Sequence, residues 1–359
     1  MTAPNPKLEA RIAHGVSEIG AEAWDQLSQG RPFQSYRWYA FGERAMSDCR
    51  PCYIVLSHAG EPIARATFWL IRNEPLPVQG PARIMLQAIV KRWPLFVCRS
   101  PLSNSSGLIL PEASLREEAL AALSDLALQQ ARSLRASFVI FDYLERGAVQ
   151  REKWPAGFAA QTVNDPGSML RLVWPDFESY LASLSPKTRK NYRRYCRDAE
   201  SRRLRISFHP QPVRLQEAGI LIRNIERRYR EVSNPWQMSS LENFPMVGGR
   251  MITAEIDGGL VGCELLLGDG DELLVTALGL DHSVPNTYFS LNYADIRAAL
   301  EAGARVLHWG SGIFDVKRRL GFQPEYNDST VSCGTGFISG LIVRMASRWS
   351  QEGKRQVPD

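Results

Sequence analysis

Several features that whole classes of protein require are missing from this chain. Its opening stretch, MTAPNPKLEARIAHG, has no apolar core of the kind a secretory signal carries, so export by that route is not expected. No apolar run approaches the roughly 18 residues a membrane span needs, so no transmembrane segment is expected. Histidine is scarce, and His14, His58, His209, His282 and His308 show no metal-ligand spacing. The one CxxC, Cys49 to Cys52, has no second CxxC and no histidine pair beside it, so neither a zinc nor a redox centre is expected there. The Gly310-Ser311-Gly312 turn is not followed by Gly-Lys-Ser/Thr, which excludes a phosphate loop. A G-x-S-x-G nucleophile elbow is also missing. The 6 cysteines are scattered and read as reduced thiols, which points to a cytoplasmic setting.

What is present is enough for two cores. The chain has 359 residues, 44% of them hydrophobic and 23% charged, values ordinary for folded domains. The net charge of +5 is unevenly placed. Lys187, Arg189, Lys190, Arg193, Arg194, Arg197, Arg202, Arg203 and Arg205 crowd one segment against Asp198 and Glu200. Arg223, Arg227, Arg228 and Arg230 follow. Such clustering points to a polyanionic partner: a phosphorylated cofactor, RNA or a membrane surface.

Two tight turns organise the stretch from Met251. Asp257-Gly258-Gly259 separates ITAEI from LVGCELLL, and Asp269-Gly270-Asp271 separates LVGCELLL from ELLVTALGL. Asp-Gly pairs between apolar runs predict hairpins, because they tolerate positive φ. A loop then opens the helix within NTYFSLNYADIRAALEAGA, and RVLHW follows as a strand. Ser185-Pro186 is a helix start, with serine as cap and proline at the first helical position. The first half repeats this plan. CYIVLSH and IARATFWLI flank a turn, Leu115 to Leu134 has helical apolar spacing, and ASFVIFDYL and SMLRLVW read as strands. The segment from Pro75 towards GLILPE has no clear assignment. An internal duplication follows: one domain over 1–175, a second over 176–345 with a basic helix at 186–203, and a tail at 346–359 that begins within an amphipathic helix.

Three segments together resemble the FemAB-like branch of the GCN5-related N-acetyltransferase (GNAT) superfamily, including its cellulose-biosynthesis-associated acyltransferases. They are YLASLSPKTRKNYRRYCRDAESRRLRISF, ITAEIDGGLVGCELLLGDGDELLVTALGLD and HWGSGIFDVKRRLGF, and PFQSYRWYAF fits the start of the first domain. The resemblance implies an α/β (α+β) chain of two tandem GNAT-like domains, with mixed, largely antiparallel sheets flanked by helices. It implies N-acyl transfer from an acyl-CoA or acyl carrier protein thioester, without a metal, to an amine on a small molecule or in the cell envelope. An aminoacyl-tRNA donor is the first rival. A degenerate binding or scaffold protein in envelope polysaccharide synthesis is the second.

The resemblance also implies site residues. Asn286, Thr287 and Tyr288 open the helix whose free N–H groups would meet a donor phosphate. The usual Q/R-x-x-G-x-G/A loop is missing there, which speaks against a plain acetyl-CoA enzyme. Lys317 stands where the family places a lysine facing the donor charge or the developing oxyanion. It is otherwise a solvated helix lysine. Arg189 and Arg193, one turn apart, would contact a phosphate. Glu264 and Asp315 are candidate proton acceptors. Glu264 interrupts an apolar strand and is expected to face outward. Trp309 is expected in the core, and His308 is expected to be structural.

Overall fold

The computed structural model describes residues 8–74, 81–145, 147–162, 167–229, 233–310, 312, 314–327 and 329–354. Ser311 and Pro75 therefore lie outside the described residues. Among the described residues fifteen strands run in chain order: β1 (Glu9–Ala13), β2 (Arg50–His58), β3 (Glu61–Ile71), β4 (Leu95–Cys98), β5 (Leu108–Ile109), β6 (Phe138–Leu144), β7 (Ala159–Thr162), β8 (Ser168–Arg171), β9 (Arg205–His209), β10 (Arg250–Ile256), β11 (Gly259–Asp269), β12 (Glu272–Leu280), β13 (Val306–Trp309), β14 (Gln323–Pro324) and β15 (Ser329–Gly334). They form two sheets in two compact units. Of the described residues, those from 8–74, 81–162 and 326–354 belong to the first unit and those from 167–325 to the second.

The sheets share one plan. In the first the order is β1-β2-β3-β4-β6-β15-β7, with β5 added to β3; in the second it is β9-β10-β11-β12-β13-β8-β14. Each begins as an antiparallel meander and then makes one parallel pair, β4 with β6 and β12 with β13. A parallel pair needs a crossover, and a long helix supplies it in each unit: Arg116–Ser133 and Thr287–Glu301. The segment left unassigned in the sequence holds the helix Pro81–Arg92 and strand β4.

The expected domain limits shift. The strand SMLRLVW was placed before the joint at 175, yet β8 pairs with β13 and β14 in the second sheet. Conversely β15 pairs with β6 and β7 in the first sheet, and helix Phe337–Lys354 packs on it. Each sheet therefore takes a strand from beyond the expected boundary. Strand partners are chosen over long sequence distances, so local pattern did not reveal this exchange.

Local chemistry explains the second meander. Asp257 and Gly258 both take positive φ, 48° and 79°, as a type I′ turn requires. On β11 nearly every residue is buried, because helices cover both faces. Gly279 of β12 leaves no room for a Cβ against Leu221 and Ile222 of helix Leu215–Tyr229. On the other face a Cβ at Gly262 would stand 2.7 Å from Thr287 Cγ2. Helix Thr287–Glu301 thus lies directly on β11 at Gly262. Glu264, two residues on, shares that face. The core between them includes Ile252, Leu266, Leu291, Ile296 and Leu307.

Candidate active site

Strands β12 and β13 pair only from Glu272–Val275 to Val306–Trp309. Beyond that, β12 runs on to Leu280 along β11, while β13 stops. A bulge marks the divergence, with Ala277 at φ 53° and the register to β11 shifting beside it. The end of β13 is held by β8: Ser168 Oγ donates to the carbonyls of Trp309 (3.0 Å) and Gly310 (3.3 Å).

Lys317 turns into this place. It belongs to the short helix Phe314–Arg319, in which Asp315, Arg318 and Arg319 are exposed, yet it is buried. Its Nζ donates to the Gly310 carbonyl and lies 5.6 Å from the centre of the Trp309 ring. A buried ammonium needs such company, since desolvation without partners is costly. The solvated alternative is therefore excluded. Trp309 is core as expected, and its ring lies 6.2 Å from that of Tyr288 at 28° and 5.0 Å from Phe322. Lys317, Trp309 and Tyr288 thus form one wall.

Behind that wall lies a buried acid pair. Glu264 does not face outward, as expected from its apolar strand: it is 0% exposed, and so are Asp295 and Asn292 on the facing helix. A strand covered on both faces has no outward side. Among the described residues the carboxyls of Glu264 and Asp295 have only each other to bond to, which requires a proton between them, and the Asn292 amide has only the Tyr288 hydroxyl beside it. Burial raises both carboxyls above the usual range. On Asp295 the neighbouring Glu264 charge adds to that rise, whereas on Glu264 the proximity of Asp295 opposes it. The pair therefore retains a proton near neutrality. The Tyr288 hydroxyl is pushed up to about 12, chiefly by burial; the Asn292 amide beside it works against this, and the Glu264 and Asp295 charges work with it. Asp295 and Asn292 were missed in the sequence. Their spacing from Tyr288, Asn292 at i+4 and Asp295 at i+7 on the buried face of a helix, was the signal that could have found them.

The helix start is less open than a phosphate cradle. Asp281 Oδ1 accepts from Ser283 N (2.9 Å) and Ser283 Oγ (2.7 Å), and Val284 N donates to Asp281 O (3.1 Å). Asn286 sits at φ 67° without capping the helix, and its Nδ2 donates to Asp198 Oδ2 (3.1 Å) on the basic helix Pro186–Ser201. That bond, with help from Arg202, holds the Asp198 carboxyl below its usual range. Thr287 is buried, its hydroxyl donating to Val284 O (3.2 Å). The structure thus joins Asn286 to the basic helix but fills the loop with its own bonds.

Other candidates fall elsewhere. Arg189 Nη1 donates to the carbonyls of Ala182 (2.8 Å) and Leu184 (2.6 Å), closing the end of helix Phe177–Ser183. Arg193 is exposed on the basic helix with Lys187, Lys190, Arg194 and Arg197. Asp315 points to solvent and pairs with Arg318 at 3.0 Å, away from the Lys317 wall. His308 is structural: Nε2 meets Glu272 at 2.5 Å and Nδ1 meets Glu325 at 2.8 Å. Burial would lower its pKa, but the two carboxylates outweigh burial and lift it to about 9. In the first unit a groove of about 450 Å³ is lined by Gln34, Tyr143 and Trp154. Two of its arginines are matched by acids, Arg116 with Glu152 (2.7 Å) and Arg151 with Glu145 (3.8 Å).

Comparison with known proteins bears on the family and the fold. A protein-family model named FemAB-like and described as peptidoglycan biosynthesis/recognition matches residues 15–342. A crystal structure of FemX is similar with a TM-score of 0.62 at 12% identity, covering 94% of this chain and 100% of that one. A tandem GNAT protein from the clavulanic acid biosynthesis pathway gives 0.54 at 12% identity, covering 92% and 99%. The C-terminal domain of a putative lysylphosphatidylglycerol synthetase from Agrobacterium fabrum gives 0.52 at 12% identity, covering 93% and 97%. Curated proteins offer no match. The fold is two tandem GNAT-like domains.

Proposed function

The chain belongs to the FemAB-like family of GNAT-fold transferases, and from that premise we propose that it moves an acyl or aminoacyl group onto an amine at the divergence of β12 and β13. The observation that carries this is the buried Lys317 against the Trp309 ring, on which Tyr288 also packs, backed by the Glu264–Asp295 pair. The amine nitrogen attacks the donor carbonyl carbon. The oxygen gains negative charge as the tetrahedral intermediate forms, and Lys317 meets that charge in a dry site. The proton of the nitrogen passes to the departing oxygen or sulfur, and the Tyr288 hydroxyl, whose proton the Glu264–Asp295 charges help to hold, steers that transfer. The carbon–leaving-group bond then breaks and the amide remains. Glu264 is wholly buried, so it acts through Tyr288 as a positioning residue rather than on the substrate.

For the donor, the geometry favours aminoacyl-tRNA over free acyl-CoA. The loop that leads into the helix is tied back on Asp281 and has no glycine, Asn286 is bonded to Asp198, and Arg189 is engaged on backbone carbonyls. The exposed Lys187, Lys190, Arg193, Arg194 and Arg197 instead offer an extended basic face to a polyanion. The second reading is a thioester on CoA or a carrier protein, favoured by the likeness to a tandem GNAT protein. The acceptor is the amine of a cell-wall precursor or a small molecule, and the setting is the cytoplasm, where activated donors are made. The test offers purified protein charged tRNA and acyl-CoA in parallel with an amine acceptor, scoring amide product and released thiol. Transfer from neither donor would refute acyl transfer; transfer from CoA alone would reverse the order of the donors.

A further inference from the structure

The helix Phe337–Lys354 presents its apolar side to the outside. Its inner side, against β15 and β7, is built from Ser339, Val343 and Ser347, which are 8%, 3% and 8% exposed. Ser347 Oγ donates to the Ala160 carbonyl (2.8 Å), fixing that orientation. Phe337, Ile338, Leu341, Ile342 and Met345 are 88%, 74%, 51%, 50% and 45% exposed. Their spacing puts them on one stripe, about 12 Å long, opposite the serines. Other exposed large apolar residues, such as Trp93, Val173 and Ile220, are scattered through the chain. A contiguous stripe is a binding feature, where scattered ones need no account.

We propose that this stripe seats the protein on an anionic phospholipid surface, with the helix lying in the plane of the headgroups. Charge argues for lipid. The helix carries Arg344, Arg348 and Lys354 against Glu352 alone. Arg344 is exposed beside the stripe. An apolar stripe with an exposed arginine at its edge, on a helix of net positive charge, is the pattern of an interfacial helix. A second copy fits less well, because a stable dimer buries about 800 Å² on each partner, from some 20 residues or more. Spanning is not involved: among the described residues no helix is long and apolar enough to cross a membrane. This inference is independent of the acyl-transfer reading.

Flotation of the full chain with vesicles tests it, comparing pure phosphatidylcholine with vesicles in which about a third of the lipid is phosphatidylglycerol. Binding to the anionic vesicles should exceed binding to the neutral ones at least tenfold or so. The exposed pair Ile338→Asp and Ile342→Asp should reduce it by about tenfold or more with an unchanged melting temperature. Arg344→Glu should weaken the preference for anionic lipid. Three results would overturn the proposal: no binding to either vesicle, equal binding by the double variant, or a dimer in light scattering that the double variant dissociates.

Discussion

Replacing Glu264 by glutamine separates what the buried acid pair does for function from what it does to stability. Glu264 and Asp295 are both 0% exposed and, among the described residues, their oxygens have only each other as partners. The native state therefore keeps protons that the unfolded chain releases once pH passes the ordinary carboxylate range. With folded pKa values raised, the native state binds more protons than the unfolded state, and stability falls as pH rises. The slope is about 1.4 kcal/mol per pH unit for each retained proton. Over about two units towards neutrality that amounts to about 3 kcal/mol. Glu264→Gln keeps the shape, removes one titration and removes the charge facing Asp295. The variant should match the wild type near pH 5 and be more stable by about 2–3 kcal/mol at pH 8, a rise of about 6 °C in melting temperature. If the Glu264 charge helps to hold the Tyr288 proton that steers the transfer, the same variant should lose about a hundredfold in kcat. Thermal melts from pH 5 to 8 and saturating turnover assays read both effects. Parallel melting curves at all pH values would refute the protonated pair. Unchanged kcat would remove Glu264 from that role.

Four further outcomes follow from the geometry. Lys317→Ala should lower kcat by about 100- to 1000-fold with little change in KM, as loss of one oxyanion partner does, and steady-state kinetics checks it. Arg189→Ala should cost about 1 kcal/mol through two lost carbonyl bonds, seen as a drop of about 3 °C in melting temperature, while donor affinity is unchanged. For His308→Gln the sign comes from a pKa raised to about 9. The stabilisation is complete below the unfolded value near 6.5 and is lost as pH rises through about 9, so the variant's deficit in denaturant melts should be largest near pH 6 and shrink above pH 9. Joint replacement of Arg193, Arg194 and Arg197 by alanine should weaken tRNA binding about equally for all sequences and lower the salt slope by about 3, measured by filter binding from 50 to 200 mM salt.

Much of this protein is written locally. Asp257-Gly258 sets a hairpin because its two residues accept positive φ, and Ser185 caps the basic helix through Thr188 N at 3.2 Å. Turn and cap chemistry acts over a few residues, so the sequence by itself determined the meander, the crossover helix and the duplicated plan. Tertiary structure decided the rest. Strands β8 and β15 take partners more than a hundred residues away, which no local pattern encodes. Glu264 is polar on an apolar strand, and only the helix seated at Gly262 shows which side is covered and that Asp295 waits there. Lys317 looks like its neighbours Arg318 and Arg319 until the end of β13 offers it a carbonyl and a ring. Arg189 looks like a phosphate ligand until the end of the preceding helix claims it. A side chain's residue type limits the chemistry it can do, but burial and partners select which chemistry that is, and both are set by contacts distant in the chain.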